Sequence, residues 1–166
     1  FKNVEAHLVN LDELFKTFEG SLSKFNDEHG MANSRARLRM TTLYQVAAAN
    51  KGIVVGTGNK VEDFGVGFYT KYGDGGVDIL PIADCNKTEV WELGKELEIL
   101  PEIIDAVPTD GLWDDGRTDE GQLGLKYSEL EEAMNNPNSI NREKYEKIRK
   151  LNLHKMEPIP TCKIPN

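Results

Sequence analysis

Apolar residues along this chain recur mostly at helical spacing, interrupted by short runs that are typical of buried strands. The alternation over residues 4–11 predicts a strand, and from Leu11 onward a period near 3.6 residues predicts an amphipathic helix. The apolar residues of this helix are Leu14, Phe18, Leu22 and Phe25. Residues 27–33 are then expected to form a loop.

A second helix is predicted from Ser34, which would cap it, to about Asn50. The β-branched run at residues 53–55 predicts a strand in a sheet core. Residues 60–64 are predicted as a short helix, and the glycines that follow favour a shaped loop over any long helix. Residues 79–82 resume a buried extended segment.

The second half of the chain is predicted to be mainly helical. Asn86 and Glu89 have the spacing of a capping box, which predicts a helix to about Leu97. A short helix is expected after Pro101, followed by a turn-rich loop through Gly116. A second capping box is read at residues 128–131.

Residues 139–153 are predicted as a charged surface helix with four residues facing inward. These are Ile140, Tyr145, Ile148 and Leu151. The tail from about Glu157, with its three prolines, is expected to be extended. The alternation of strand, loop and helix predicts an α/β fold with a layered sheet.

Composition predicts one soluble domain. The 166 residues are 39% hydrophobic, which is enough for a single core, and no apolar stretch approaches the length of a membrane span. A formal net charge of -8 argues against nucleic acid as the partner, because nonspecific binding to phosphates requires a broad basic surface. Cys85 and Cys162 lack a metal-binding spacing and fit a reducing cytoplasm.

The run from Gly56 to Asp78 is dense in glycines and single charges, which indicates a binding site. Thr57 follows a predicted strand, and ligands of open α/β sheets bind beyond the carboxyl ends of strands. A hydroxyl with nearby backbone amides there would suit a phosphate or a ribose. The Gly-Thr-Gly run alone also fits a polar strand-to-helix loop, whereas the whole run through Asp78 favours a site.

Several separated motifs follow one another in the order found in a known family. They are Ala-Arg-x-Arg-Met at residues 36–40, the run just described, Lys-Thr-Glu-Val at 87–90, Pro-Thr-Asp-Gly-Leu-Trp at 108–113, Thr-Asp-Glu at 118–120, Leu-Gly at 123–124 and His-Lys at 154–155. From about Leu11 to Pro160 the chain resembles the ammonia-dependent NAD synthetases of the ATP pyrophosphatase group.

This resemblance implies an adenine nucleotide alpha hydrolase-like, Rossmann-like fold, an open and mostly parallel sheet with helices on both faces. The sequence contains no Ser-Gly-Gly-x-Asp-Ser loop, which in the family cradles pyrophosphate near the amino terminus. We therefore expect residues 1–166 to be the carboxyl-terminal portion of one NAD synthetase domain, incomplete at the amino terminus, with autonomous activity in doubt.

The resemblance implies ATP-dependent amidation of deamido-NAD by ammonia, giving NAD, AMP and pyrophosphate through an acyl-adenylate. It also implies Mg²⁺, free ammonia as the nitrogen source, and a homodimer with residues 34–50 at the interface. No protein nucleophile is required, so catalysis would rest on positioning and charge stabilisation.

The resemblance also assigns residues to each ligand. ATP would contact Thr57, Lys87 and Thr109, and Mg²⁺ would bind Glu62. Deamido-NAD would be held by Arg37, Lys71, Asp78, His154 and Lys155. Each residue also has an ordinary structural interpretation, as an exposed helix acid for Glu62, a turn residue for Thr109 and a helix-terminal cation for His154.

Two other functions stay open at this point. One is a different ATP pyrophosphatase, such as GMP synthetase, although the Arg37, Lys71 and Asp78 set argues against it. The other is a nucleotide-binding or dimerisation module without catalysis, which the absence of the phosphate loop keeps open.

Overall fold

The computed structural model describes residues 2–113 and 115–164, and helices dominate this part of the chain. Its α-helices are α1 (Asp12–Ser21), α2 (Glu28–Ala49), α3 (Lys87–Glu96), α4 (Pro101–Ile104), α5 (Asp119–Leu123), α6 (Tyr127–Asn135) and α7 (Arg142–Met156). A 3-10 turn covers Ser23–Phe25, and a π-helix covers Lys60–Val66.

Several predicted helices are confirmed with ends shifted by few residues. Helix α1 begins at Asp12, and α3 begins at Lys87, where the Glu89 carboxylate accepts a hydrogen bond from the Asn86 backbone N–H over 2.6 Å. The turn-rich loop before α5 is also confirmed, except that Asp114 lies outside the described residues. The tail over residues 157–164 contains neither helix nor strand.

The predicted loop at residues 27–33 is wrong, because α2 already begins at Glu28. Asp27 is its N-cap, and the Asp27 carboxylate accepts from the Gly30 backbone N–H over 2.6 Å. Ser34, predicted as the cap, lies inside the helix and donates to the Gly30 carbonyl. Burial of Met31 and Ala32 stabilises this first turn and offsets the helix cost of Gly30.

The predicted parallel sheet is not observed in the described residues, which contain one isolated parallel bridge between Val55 and Ile79. Two hydrogen bonds flank it, from Gly56 N–H to the Ile79 carbonyl and from Asp78 N–H to the Val54 carbonyl. Val54 is buried, but Val55 and Ile79 are exposed. A lone bridge lacks the further strands that would cover such side chains and extend it into a sheet.

The strand predicted over residues 4–11 is also wrong, since this segment has no regular structure. Leu8 is 98% exposed, so the alternating pattern here buries no face against the rest of the described chain. A period of two forms a strand only where a partner accepts its backbone hydrogen bonds.

Two further corrections concern α6 and α7. Helix α6 begins at Tyr127, and Glu129 rather than Glu131 accepts from the backbone N–H of its N-cap, Lys126. The predicted capping box at residues 128–131 is therefore two residues late. Helix α7 buries Tyr145 and packs Ile148 on the core, whereas the predicted inward residues Ile140 and Leu151 are 96% and 71% exposed.

The core lies where the π-helix, α6 and α7 pack on one another. Its buried residues come from these three elements and from the end of α5 and the turn after it. They are Val61, Val66, Leu123, Leu125, Tyr127, Leu130, Ala133 and Tyr145. No helix in the described ranges is both long and apolar enough to cross a bilayer.

Candidate functional site

The π-helix supplies the centre of the site, and its start is fixed by local sequence. Asn59 is buried, and its side-chain oxygen accepts from the backbone N–H groups of Val61 and Glu62. Gly58 lies against the Asp63 carboxylate so closely that a Cβ on it would be 2.0 Å from Asp63 Oδ2. Gly58 therefore leaves room for the Asp63 carboxylate, and Asn59 accepts the first hydrogen bonds of the π-helix. Together they define how the π-helix begins.

Asp63 is a buried carboxyl group in this first turn. Burial, followed by the nearby charges of Glu62 and Asp74, raises the pKa of Asp63 from its usual value near 3.8 to about 7. Both the neutral and the charged form of this group are therefore accessible near neutral pH.

Glu62 and Lys87, which the resemblance assigned to the metal and to ATP, meet directly. Lys87 Nζ lies 3.0 Å from Glu62 Oε1, and the two side chains are only 18% and 16% exposed. Lys87 is the first residue of α3, where the helix dipole disfavours a cation. The Glu62 carboxylate compensates for this in the structure.

Tyr127 and Asp119 complete this group, which we call the Glu62 cluster (Glu62, Lys87, Asp119 and Tyr127). The Tyr127 hydroxyl donates to Glu62 Oε1 over 2.5 Å and lies 3.1 Å from Asp119 Oδ2. Burial and then the Glu62 charge raise the pKa of Tyr127, which keeps its hydroxyl protonated. Burial also raises the pKa of Asp119, and the Tyr127 hydrogen bond opposes this shift.

Thr57 and Thr109, the other two predicted ATP contacts, are exposed. Thr57 follows Gly56, whose N–H donates to the Ile79 carbonyl next to the Val55–Ile79 bridge, so it lies just beyond the extended segment. Thr109 follows Pro108, whose carbonyl accepts from the Asp119 backbone N–H over 3.0 Å. This bond links the Thr109 segment to the Glu62 cluster at the start of α5.

A second group of predicted residues meets around the glycine-rich loop, residues 67–78. Arg37 on α2 donates from its guanidinium to the Lys71 carbonyl, with two N···O distances of 3.3 Å. Lys71 in turn donates from Nζ to the His154 carbonyl over 2.6 Å. Arg37, Lys71 and His154 are thus brought together, although His154 takes part through its backbone.

Lys155 contacts the backbone of the same loop. Its Nζ donates to the Gly67 and Tyr69 carbonyls over 2.8 and 2.7 Å, and the Tyr69 hydroxyl donates back to the Lys155 carbonyl over 2.6 Å. Burial lowers the pKa of Lys155. In this structure Lys155 fixes the loop that carries Lys71, and its role toward a ligand stays a prediction.

A cavity of about 100 Å³ lies beside Lys155, between α2, the glycine-rich loop and the segment before α5. Tyr69, Asp74, Asp110 and Trp113 are among its other lining residues. Aromatic faces, carboxylates and one ammonium therefore line one recess next to the Arg37 and Lys71 contacts.

Asp78 lies at the other end of the glycine-rich loop. Its carboxylate accepts from the Val54 backbone N–H over 2.7 Å and from the Tyr44 hydroxyl over 3.2 Å. These bonds join the bridge region to α2. The predicted contact of Asp78 with a dinucleotide is untested by this geometry, which gives the carboxylate a structural role in addition.

The donor set near Glu62 fits Mg²⁺ in one particular way. The described residues contain no group of three or more acidic, histidine or cysteine side chains able to enclose a metal ion. Mg²⁺ usually keeps several waters and binds through one or two carboxylates together with substrate phosphates. Glu62 is a partly buried carboxylate that pairs with Lys87, an arrangement compatible with that mode.

Sequence reasoning missed Tyr127, Asp119 and Asn59 as members of the site. Tyr127 could not be told from an ordinary core residue in the sequence, because its hydroxyl bonds to Glu62, which lies 65 residues earlier in the chain. Asp119 appeared only within the Thr-Asp-Glu motif. The Gly-Asn pair at residues 58–59 carried the available signal for Asn59, since Asn is a preferred N-cap residue.

Comparison with known proteins finds sequence similarity over nearly the whole chain. The family model described as NAD synthase matches residues 2–162. The NH(3)-dependent NAD(+) synthetase of Carboxydothermus hydrogenoformans is 44% identical over 136 residues, which are 80% of this chain and 55% of that protein. That of Sulfurisphaera tokodaii is 39% identical over 153 residues, 86% of this chain and 54% of that protein.

Solved structures show the same fold. The NMN synthetase from Francisella tularensis superposes with a TM-score of 0.89 at 32% identity, covering 98% of this chain and 68% of that one. The NH3-dependent NAD synthetase from Campylobacter jejuni gives 0.73 at 23% identity, covering 97% and 67%. The chain spans about half the length of the curated relatives it matches. With a family model matching residues 2–162, the chain belongs to the NAD synthase family.

Proposed function

We propose that the protein carrying this chain joins ammonia to the nicotinic acid carboxylate of deamido-NAD at the expense of ATP. The observation that carries this proposal is the contact between Glu62 and Lys87 at 3.0 Å, within a chain of the NAD synthase family. The Glu62 carboxylate would bind a hard cation and the Lys87 ammonium would bind phosphate, so both would face the triphosphate of ATP.

The chemistry follows from the weakness of a carboxylate as an acceptor. A carboxylate oxygen of deamido-NAD attacks the α-phosphorus of ATP, and pyrophosphate leaves with the β and γ phosphates. Ammonia then attacks the carbonyl carbon, and AMP leaves with the former carboxylate oxygen. The products are NAD, AMP and pyrophosphate, and the proton lost from ammonia passes to solvent.

The residues of this chain would bind and orient the reactants. Lys87 would place a positive charge on the ATP phosphates, and Thr57 and Thr109 would add hydroxyl contacts. Glu62 would hold Mg²⁺, which when bound neutralises phosphate charge. Each is a binding role, since displacement at phosphorus and carbon needs alignment more than a protein nucleophile.

The dinucleotide would lie along the glycine-rich loop. Arg37 presents a planar fork suited to phosphate, and Lys71 and Lys155 add positive charge. Asp78 and His154 would contact polar groups of the same ligand. Support comes from the contacts that join Arg37, Lys71 and the His154 backbone at one place.

We also propose the larger assembly that the family resemblance implies. In it, the bridge between Val55 and Ile79 belongs to an open, mostly parallel sheet with helices on both faces, which would cover the exposed side chains of Ile53, Val55 and Ile79. A homodimer would use residues 34–50 at its interface, and a strictly monomeric protein in analytical ultracentrifugation would remove that assignment. The free thiols Cys85 and Cys162 fit a cytoplasmic location.

The direct test is an assay of the purified intact protein with deamido-NAD, ATP, Mg²⁺ and ammonium. NAD and AMP are expected in equal amounts, measured by chromatography. Tight binding of both nucleotides without AMP release would instead indicate a non-catalytic nucleotide-binding module. AMP formation with xanthosine monophosphate but not with deamido-NAD would indicate a GMP synthetase.

A second substrate has specific support in the likeness to the Francisella tularensis NMN synthetase, at a TM-score of 0.89 and 32% identity. The corresponding reaction here would amidate the acid form of NMN instead of deamido-NAD. Equal concentrations of the two acids in one assay distinguish them, and the acid with the larger kcat/KM is the substrate.

A further inference from the structure

Tyr127 is a buried aromatic residue whose hydroxyl touches the carboxylate proposed to hold Mg²⁺. It is 1% exposed, and its hydroxyl donates to Glu62 Oε1 over 2.5 Å. We infer that Tyr127 is a positioning residue, which sets the orientation of the Glu62 carboxylate and of the Lys87 ammonium for a divalent cation and ATP. This inference rests on the proposed function and adds a residue to its site.

The geometry at Glu62 carries the first step. Two donors from two different helices, the Tyr127 hydroxyl of α6 and the Lys87 ammonium of α3, both bind Oε1. Oε2 takes part in neither bond. Two donors on one oxygen fix the rotation of the carboxylate group, so Oε2 is presented in one direction. Mg²⁺ demands near-ideal octahedral geometry, so this direction matters for its binding.

The ring of Tyr127 carries the second step. Lys87 Nζ lies 5.0 Å from the ring centroid, within the range of a cation–π contact. Trp91 packs on the same ring edge to face, with centroids 5.9 Å apart and an interplanar angle of 86°. Packing by Trp91 therefore restricts the position of the ring. The ring contacts Lys87 on one side, while the Glu62 carboxylate pairs with the Lys87 ammonium.

Asp119 carries the third step. A phenol hydroxyl turns about its C–O bond unless acceptors fix it. Asp119, the first residue of α5, places Oδ2 3.1 Å from the Tyr127 oxygen as a second acceptor beside Glu62. Tyr127 is thus held between two carboxylates and acts on the cation only through Glu62.

Tyr127→Phe tests the inference, because it keeps the ring and removes the hydroxyl. Loss of a hydrogen bond to a metal ligand typically weakens metal affinity about 10- to 100-fold. We expect that increase in the Kd of Mn²⁺ for the intact protein with ATP, measured by electron paramagnetic resonance. In the assay, kcat at saturating Mg²⁺ should recover, and the KM for deamido-NAD should change less than twofold.

The matched control is Tyr145→Phe, which removes another buried hydroxyl from the same core. Tyr145 belongs to α7 and has no hydrogen bond with Glu62 in the described residues, so Mn²⁺ binding should stay within twofold of the wild-type value. Equal weakening by the two substitutions would overturn the inference, because the effect would then be a general loosening of the core. Unchanged Mn²⁺ binding in Tyr127→Phe would overturn it as well.

Two further measurements extend the test, and the first of them does not require Tyr127→Phe to fold. Asp119→Asn keeps the bond from Tyr127 to Glu62 and leaves an amide oxygen as the second acceptor. It should therefore weaken Mn²⁺ binding by less than about threefold, and a larger loss overturns the route through Glu62. In a Glu62→Gln background, Tyr127→Phe should add no further loss, because the two residues act as a unit. A full additional loss there also overturns the inference.

Failure of the proposed function has a different signature. Wild-type protein that releases no AMP, yet binds Mn²⁺ and ATP more tightly than Tyr127→Phe, removes the ligase and leaves the positioning role. Wild-type protein that makes NAD while Tyr127→Phe matches it at every Mg²⁺ concentration removes the positioning role alone.

Discussion

At the scale of single residues, the two proposed groups of ligand-binding residues lie at opposite ends of the π-helix. Glu62 in its first turn pairs with Lys87, and the carbonyl of Gly67 at its end accepts from Lys155. Lys71 then follows in the loop and bonds to the His154 carbonyl. Because each lysine meets a different partner, the two substrates of the proposed reaction should respond to different substitutions.

Lys71→Ala should raise the KM for deamido-NAD roughly tenfold or more, since a charge-assisted hydrogen bond contributes about 1.5–3 kcal/mol. The KM for ATP should stay within about twofold, and Lys87→Ala should give the opposite pattern. Steady-state kinetics with each substrate varied in turn measures both. Lys150→Ala, an exposed lysine on α7, is the control. Equal loss toward both substrates in Lys71→Ala would contradict the division into two groups.

At the scale of secondary structure, local sequence predicted helices well where a cap and a periodic face coincide, as at Glu89 and α3. It failed at α2, because Gly30 and Asn33 are typical of loops, whereas the Asp27 cap and tertiary burial of Met31 and Ala32 together stabilise a helical first turn. The π-helix was predicted as a short helix, since its wider turn has no distinct sequence signature.

Asp27→Ala should destabilise the protein by about 1 kcal/mol, because it removes the N-cap acceptor of α2. Ser34→Ala should change the free energy of unfolding by less than about 0.5 kcal/mol, since the Ser34 hydroxyl only donates back to a carbonyl of its own helix. Urea unfolding of the two variants compares them. A larger cost at Ser34 would restore it as the cap.

Gly67→Ala should destabilise the junction between the π-helix and α7. Its φ of +67° costs an L-residue about 1–2 kcal/mol, and a Cβ would lie 2.6 Å from Asn152 Cβ. Gly111→Ala has a similar φ of +60° without such a contact among the described residues, so it isolates the backbone term. The close contact of the new Cβ with Asn152 should make Gly67→Ala more destabilising than Gly111→Ala by about 1–3 kcal/mol. Identical unfolding free energies for both variants would show that Asn152 yields freely.

At the scale of the whole molecule, the core joins the π-helix, α6 and α7, while in the part of the chain that the structure describes a single bridge stands where the sheet was predicted. Extended segments were predicted at residues 53–55 and 79–82, and one bridge joins them, but a sheet depends on other strands and no local pattern supplies them. For the candidate site, the family resemblance pointed to Glu62 and Lys87, whereas the contact of Tyr127 with Glu62 required the packing of α6 on the π-helix.

Leu130→Ala should cost about 2–5 kcal/mol, since Leu130 is fully buried at the centre of this core. Leu151→Ala should change stability by less than about 0.5 kcal/mol, because that leucine is largely exposed despite its inward prediction. Thermal or urea unfolding measures the difference. A costly Leu151→Ala would indicate that α7 packs on another surface in the intact protein.

The π-helix has a consequence for insertions and deletions. Each residue of a helix turns the chain by a large angle, about 100° in an α-helix and less in the wider π-helix, so losing or gaining one position between Glu62 and Gly67 would rotate one of them away from its partner. The carboxylate that meets Lys87 and the carbonyl that meets Lys155 would then no longer face their partners together. Natural variants should therefore tolerate exchanges of side chains in this segment far better than any change in its length.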